Sequence, residues 1–289
     1  MSLSKLIFKR TLTYFFVFGI IITMTESFTK VPKIVSQNMK MQLPKGKSVF
    51  SEKLLLGEIA DTEIDHIAFV GPTVQTISLS NDNVDMFVFI KGNGTFKADT
   101  KSFDLVPESI VIPMTYKSIS IDVPAGEILH FVKFTKKLSK QDKLDLAGFP
   151  AENKYDVYYT KFSDCEPYSE KIKSPNTVSR TVLRADIIPR VALGTVQAPG
   201  PDRVGAHTHA MLDQLFLGLT DNDIAVHADG ASAAFKEYTI LHIPKGSSHG
   251  ASVGENKKMY YLWMDFFITK EGQEWLKTHK PISTDKNDY

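Results

Sequence analysis

At 289 residues, with 43% hydrophobic and 23% charged residues, the chain has ordinary globular composition and suits one large domain or two of usual size. A net charge of +1 without a basic stripe excludes a nucleic-acid-binding surface. The one cysteine, Cys165, excludes an internal disulfide and a cysteine-based zinc cluster, and with no motif around it reads as a packing or loop residue.

In chain order, Lys5, Lys9 and Arg10 precede an apolar run over residues 12–24. That run has the length of a signal-peptide core and is short for a membrane span. Residues 1–27 are therefore predicted to be a signal peptide or retained anchor, and the protein to be exported to a periplasm or the cell exterior. Contact with a membrane is expected only through that leader. Residues 28–48 are polar and basic and are predicted to be a linker that lies along a barrel as an edge strand. From 49 to 135, short runs rich in Val, Ile and Phe alternate with Gly, Asn and Pro turns, the pattern of an all-β barrel or sandwich. Residues 136–180 break the pattern and are predicted to be a connecting segment with one short helix. Strand runs resume over 181–289, and the tail reads as a closing helix in which Trp275 and Leu276 pack.

The two β-rich parts superpose on one another, which means an internal duplication of about 130 residues. Residues 84–94 match 212–222, and 109–118 match the run that begins at Thr239.

Five of the eight histidines fall within residues 205–250, so metal chemistry is expected there. His207 and His209 are two apart in a strand setting and point to one face. A third imidazole, His249, follows a turn made by Pro244 and Gly246. Two same-face imidazoles and a third from another strand can close around one divalent cation. His242 is expected beside the site rather than in it, His227 as a strand residue, and His66 and His130 as structural.

These residues are those by which the sequence resembles the cupin superfamily. The first cupin signature is matched by Gly205, His207, His209, Gln214 and Gly218, the second by Pro244, Gly246 and His249. The resemblance implies two cupin (double-stranded β-helix, jelly-roll) barrels, with one divalent ion (Zn, Mn, Fe or Ni) held in the second by His207, His209, Gln214 and His249. Gln214 stands where cupins usually carry glutamate. Asp213 is the alternative ligand if the strand slips by one residue, a slip that would turn it to the other face. In the first half the corresponding positions fall on Leu79, Asn81, Met86 and Ser118, no set for a transition metal, so that barrel is expected to be a scaffold.

Further candidates surround the ligands. Residues 258–267 alternate Tyr261, Trp263 and Asp265 on one face with Tyr260, Leu262 and Met264 on the other. Asp265 and Tyr261 are the candidate catalytic residues; Trp263, Phe216 and one of Arg184, Arg190 and Arg203, with Arg190 preferred, are the candidate substrate contacts. The function expected is a metal-dependent enzyme acting on a small polar carboxylate or sugar-derived substrate, by lyase, isomerase or hydrolase chemistry. An Fe(II) dioxygenase and a non-catalytic binding or structural protein are the alternatives. A monomer or homodimer is expected.

Overall fold

The computed structural model describes residues 34–170, 172–209 and 211–277, with side chains to Gln273. The leader and the packing of Trp275 and Leu276 lie outside the described residues. Among the described residues no helix is long and apolar enough to cross a membrane.

The fold is all-β, two double-stranded β-helix barrels, each made of one larger and one smaller antiparallel sheet. In the first barrel the larger sheet runs, in spatial order, Val157–Lys161, Ser109–Pro113, Asn83–Lys91, Ile128–Lys137, Thr62–Val70 and Val49–Lys53. Its smaller sheet is Thr73–Ser78, Ser118–Val123, Gly94–Ala98 and Lys101–Leu105. In the second barrel the larger sheet runs Val35–Asn38, Thr239–Ile243, Leu212–Gly218, Lys258–Phe267, Val191–Pro199, Val178–Leu183 and Pro167–Tyr168. Its smaller sheet is Asp202–Thr208, Ser248–Val253, Asp223–Ala228 and Ala231–Lys236.

Strand alternation explains how one sequence serves two cores. In Lys258–Phe267, Leu262 and Met264 pack into a core shared with Met86, Val88, Val132 and Phe134 of the first barrel, while Tyr261 packs inside the second. The first barrel's own interior is filled by Phe69, Phe87, Phe89, Phe96, Phe131 and neighbouring aliphatics. Each sheet that is apolar on both faces thus sits between a barrel interior and the neighbouring barrel.

The predicted linker strand exists, and it crosses over: Val35–Asn38 pairs with Thr239–Ile243 of the second barrel. The predicted helix is Lys140–Gly148, started by a capping box between Ser139 and Asp142. The rest of the connecting segment is more than a linker. Val157–Lys161 extends the first barrel's larger sheet, and Tyr168 and Lys173 reach the second barrel.

The duplication is present, but out of the register read from sequence, by one residue at Met86 and Ser118 and by two at Leu79 and Asn81. Asp85 pairs with Thr135 as Gln214 pairs with Asp265, and Met86 lies with Leu215 in the shared core. The counterpart of Gln214 is therefore Asp85, not Met86. Likewise Ile77 faces Ile119 where His207 faces His249, so the counterparts of the three histidines are Ile77, Leu79 and Ile119 rather than Leu79, Asn81 and Ser118. A strand buried on both faces, as Asn83–Lys91 is, permits either alignment until cross-strand partners are known.

Candidate metal centre

His207 is the penultimate residue of the strand Asp202–Thr208, His209 follows the strand, and His249 lies on Ser248–Val253, which pairs His207 with His249 directly. Between Val204 and His207 the register shifts, a bulge that the matching pair of strands in the first barrel lacks. Gly246, at φ 77°, supplies the left-handed turn residue ahead of His249. The three histidines offer ligand atoms that all lie within 4.8 Å of one another.

The hydrogen bonds set the tautomers. His207 Nδ1 donates to Gly205 O at 2.9 Å and His249 Nδ1 to Ser247 O at 3.1 Å. A carbonyl only accepts, so these Nδ1 atoms carry the protons and each Nε2 keeps its lone pair. His249 Nε2 is buried and meets no hydrogen-bond partner among the described residues. Burial first, then the neighbouring His207, pushes the His249 pKa down to about 3, so its ring stays neutral. The ring of Phe216 holds His249 edge-on, with centroids 6.0 Å apart.

Gln214 is buried in the same wall. Its Nε2 donates to Asp265 Oδ1 at 2.7 Å, which leaves its Oε1 buried and unpartnered among the described residues. A bare imidazole nitrogen and a bare amide oxygen, both buried, are costly unless a cation completes them. The three imidazoles therefore fit a divalent metal, and the unpartnered Gln214 Oε1 belongs to a residue that lines the same cavity as His207 and His209. Asp213 faces away, with its carboxylate 3.6 Å from His242 Nε2. His242 also bonds Glu58, at 2.8 Å, and lies outside the cavity.

A cavity of about 490 Å³ opens beside this cluster. Its walls include Phe216, Tyr261 and Trp263, as strand alternation predicts, together with His207, His209, Gln214 and Asp265. Gly194 lies across from Trp263, and a Cβ there would sit 2.2 Å from the indole, so the glycine is what admits the ring. Tyr261 packs at a tilt against Phe216 and edge-on to Phe235, and burial raises its pKa, which keeps the phenol protonated. Burial raises the Asp265 pKa to about 7 against the opposing hydrogen bond from Gln214, with Glu170 adding to the rise and Lys173 reducing it.

Arg190 is a correction. Its guanidinium forks onto Asp142 at 2.8 and 2.7 Å, bonds Ile268 O, and does not line the cavity. Asp142 is buried and claims this arginine for the joint between the helix Lys140–Gly148 and the second barrel. Of the three arginines considered, Arg184 lines the cavity, with its head on Asp186 and Asn153. Sequence reasoning missed Tyr168, Glu170 and Lys173, which also line it. Their polar run has no period to betray where it folds.

No family model and no curated protein matches the sequence. Solved structures do match. A cupin 2 conserved barrel domain protein from Leptotrichia buccalis is 14% identical over 82% of this chain and 98% of its own, at a TM-score of 0.56. Oxalate decarboxylase from Lactobacillus farciminis, in a formate complex, is 12% identical over 85% of this chain and 90% of its own, at 0.58. An E. coli protein of the DUF861 family is 13% identical over 82% and 92%, at 0.59.

Proposed function

We propose, for a chain whose fold is that of the two-barrel cupins, that the second barrel is the active site of a metal-dependent enzyme acting on a small polar carboxylate. The observation that carries this reading is the convergence of three imidazoles, two with Nδ1 tied to backbone carbonyls, with His207 and His209 on the wall of a 490 Å³ cavity. His207, His209, His249 and Gln214 would hold the ion. When bound, a divalent ion supplies Lewis-acid stabilisation of negative charge that develops on a substrate oxygen.

The chain's own residues do the rest. Phe216, Tyr261 and Trp263 form an apolar wall that excludes water from the reacting carbon. Asp265 Oδ1 is held by the Gln214 amide, and its carboxylate faces the cavity as the group that takes a proton from the substrate and returns it. This assigns proton-transfer chemistry next to a carboxylate, as in lyases and isomerases.

Two measurements test the reading. Protein purified without chelator and reconstituted should hold about one equivalent of a divalent transition metal, and His209→Ala should hold almost none. Less than a tenth of an equivalent in the wild type overturns the enzyme reading in favour of a binding protein. In deuterated buffer, NMR should show enzyme-dependent loss of the C2 proton signal of 2-hydroxy carboxylates or of the C3 proton signal of 2-oxo carboxylates. Asp265→Asn, which can still accept from Gln214, should retain metal and slow that exchange by at least about 100-fold.

A further inference from the structure

The cavity contains a cation supplied by the connecting segment. Only 7% of the Lys173 side chain is exposed, and its Nζ donates to Ser179 Oγ at 2.8 Å and pairs with Glu170 Oε2 at 2.8 Å. An ammonium has three N–H donors. Among the described residues Ser179 and Glu170 account for two of them, and Lys173 lines the cavity.

The pair is asymmetric. Ser179 is fully buried on a strand of the larger sheet and fixes the ammonium, whereas the Glu170 side chain is 34% exposed. The cation is the fixed member and its carboxylate partner the one that can leave.

Position relates this charge to the imidazoles. Lys173 bridges Val204, and Gly205 N donates to Ile172 O at 3.0 Å, at the bulge that precedes His207. The segment thus adds itself to the edge of the strand that carries His207 and leads into His209. Lys173 lines the same cavity as His207 and His209. A shared cavity of about 490 Å³ suits a substrate of a few carbons with one oxygen function at the imidazoles and its other end at Lys173.

We infer that Lys173 is a specificity-determining residue and that the substrate is a small dianion, whose second carboxylate binds the Lys173 ammonium in place of Glu170. This rests on the metal site proposed above. The ammonium lies among apolar and aromatic walls, where an ionic contact is screened less than at the surface. A neutral tail of equal length leaves it paired only with Glu170.

Calorimetric titration of the metal-reconstituted full chain with succinate and with butyrate, which share a four-carbon skeleton, tests the assignment. Succinate should bind at least 10-fold tighter. Lys173→Gln should bring the two affinities within about 2-fold of each other by weakening succinate alone, with metal content unchanged. Glu170→Gln should tighten succinate severalfold, because its competitor for the ammonium is neutral. Equal affinities in the metal-loaded wild type overturn the proposal, as does a Lys173→Gln variant that weakens both ligands alike, and as does weaker succinate binding in Glu170→Gln. If Lys173→Gln does not fold, the wild-type ratio and Lys173→Arg, which should keep the preference, decide. Metal content is read separately, so a chain that takes up no metal but still prefers succinate sinks the metal site and leaves the Lys173 contact standing.

Discussion

The two barrels share a fold but differ in what fills them. Where the second places His207 opposite His249, the first places Ile77 opposite Ile119, and where the second has Gln214 bonded to Asp265, the first has Asp85 bonded to Thr135 at 2.6 Å. The first barrel's interior is closed with phenylalanine, the second's is left open beside its histidines. The copies therefore differ in their polar atoms: the buried histidines of the first are hydrogen-bonded to one another and to Glu52, whereas the second leaves His249 Nε2 and Gln214 Oε1 unpartnered among the described residues.

The sharpest break in that comparison comes from matched truncations. His249→Ala should reduce metal content from about one equivalent to below a tenth, and abolish any rise in melting temperature on metal addition. Ile119→Ala at the equivalent position should leave metal content intact and lower stability by about 3 kcal/mol, as a large-to-small change in a packed core. Urea denaturation and metal analysis of both variants give the four readings. Metal loss in Ile119→Ala would mean that the first barrel does more than support the second.

A smaller effect tests how the barrels are joined. Arg190→Ala leaves the buried Asp142 carboxylate without its fork and should cost about 2–3 kcal/mol, with metal content and ligand affinity unchanged. A selective loss of carboxylate binding would restore the arginine to the substrate site.

These outcomes also measure how far the sequence could be read. The histidine pattern, the turn before His249 and the alternation of Tyr261, Trp263 and Asp265 were all legible, because strand periodicity fixes which residues share a face. The register of the repeat was not: slipping by one keeps the apolar pattern but exchanges Met86 for Asp85, and only the pairing with Thr135 decides. Arg190 was misplaced because its partner lies 48 residues away, on a helix whose docking leaves no local trace. Lys173 was missed for the same reason. Its role arises from a single bridge to Val204, formed by a segment with no periodic signal of its own.

The first barrel also carries a buried histidine pair that responds to acid. His130 Nδ1 donates to His66 Nε2 at 3.1 Å and His66 Nδ1 to Glu52 at 3.0 Å, with both rings buried. Burial, with help from His66 and Lys91, lowers the His130 pKa to about 4. Below about pH 6.5 the unfolded chain takes up a proton that the folded chain refuses, so stability falls as pH drops from about 6.5 towards 4. Above that window the group contributes nothing to the slope. His130→Gln cannot titrate, and its denaturation free energy should fall less steeply, by a difference of about 2 kcal/mol at pH 4.5. Parallel slopes for the two proteins would show that His130 is not the group responsible.

The smallest effect separates adjacent residues, Asp213 and Gln214, on opposite faces of one strand. Burial disfavours the charged form of His242, but the Asp213 and Glu58 carboxylates outweigh it and hold its pKa above the ordinary value. The sign is opposite to that of His130: the stabilisation is fully present below about pH 6.5 and is lost as pH rises through the folded value. Asp213→Asn removes one of the two carboxylates from a partly exposed pair and should cost about 0.5 kcal/mol at pH 6, fading to nothing by pH 9. Metal content should not change, because that carboxylate lies beside His242 Nε2 and Asp213 does not line the cavity. Gln214→Leu, one residue on, should lower metal affinity without this pH dependence. If Asp213→Asn were the variant that lost metal, the two residues would have exchanged faces and the register of the whole strand Leu212–Gly218 would have to move by one.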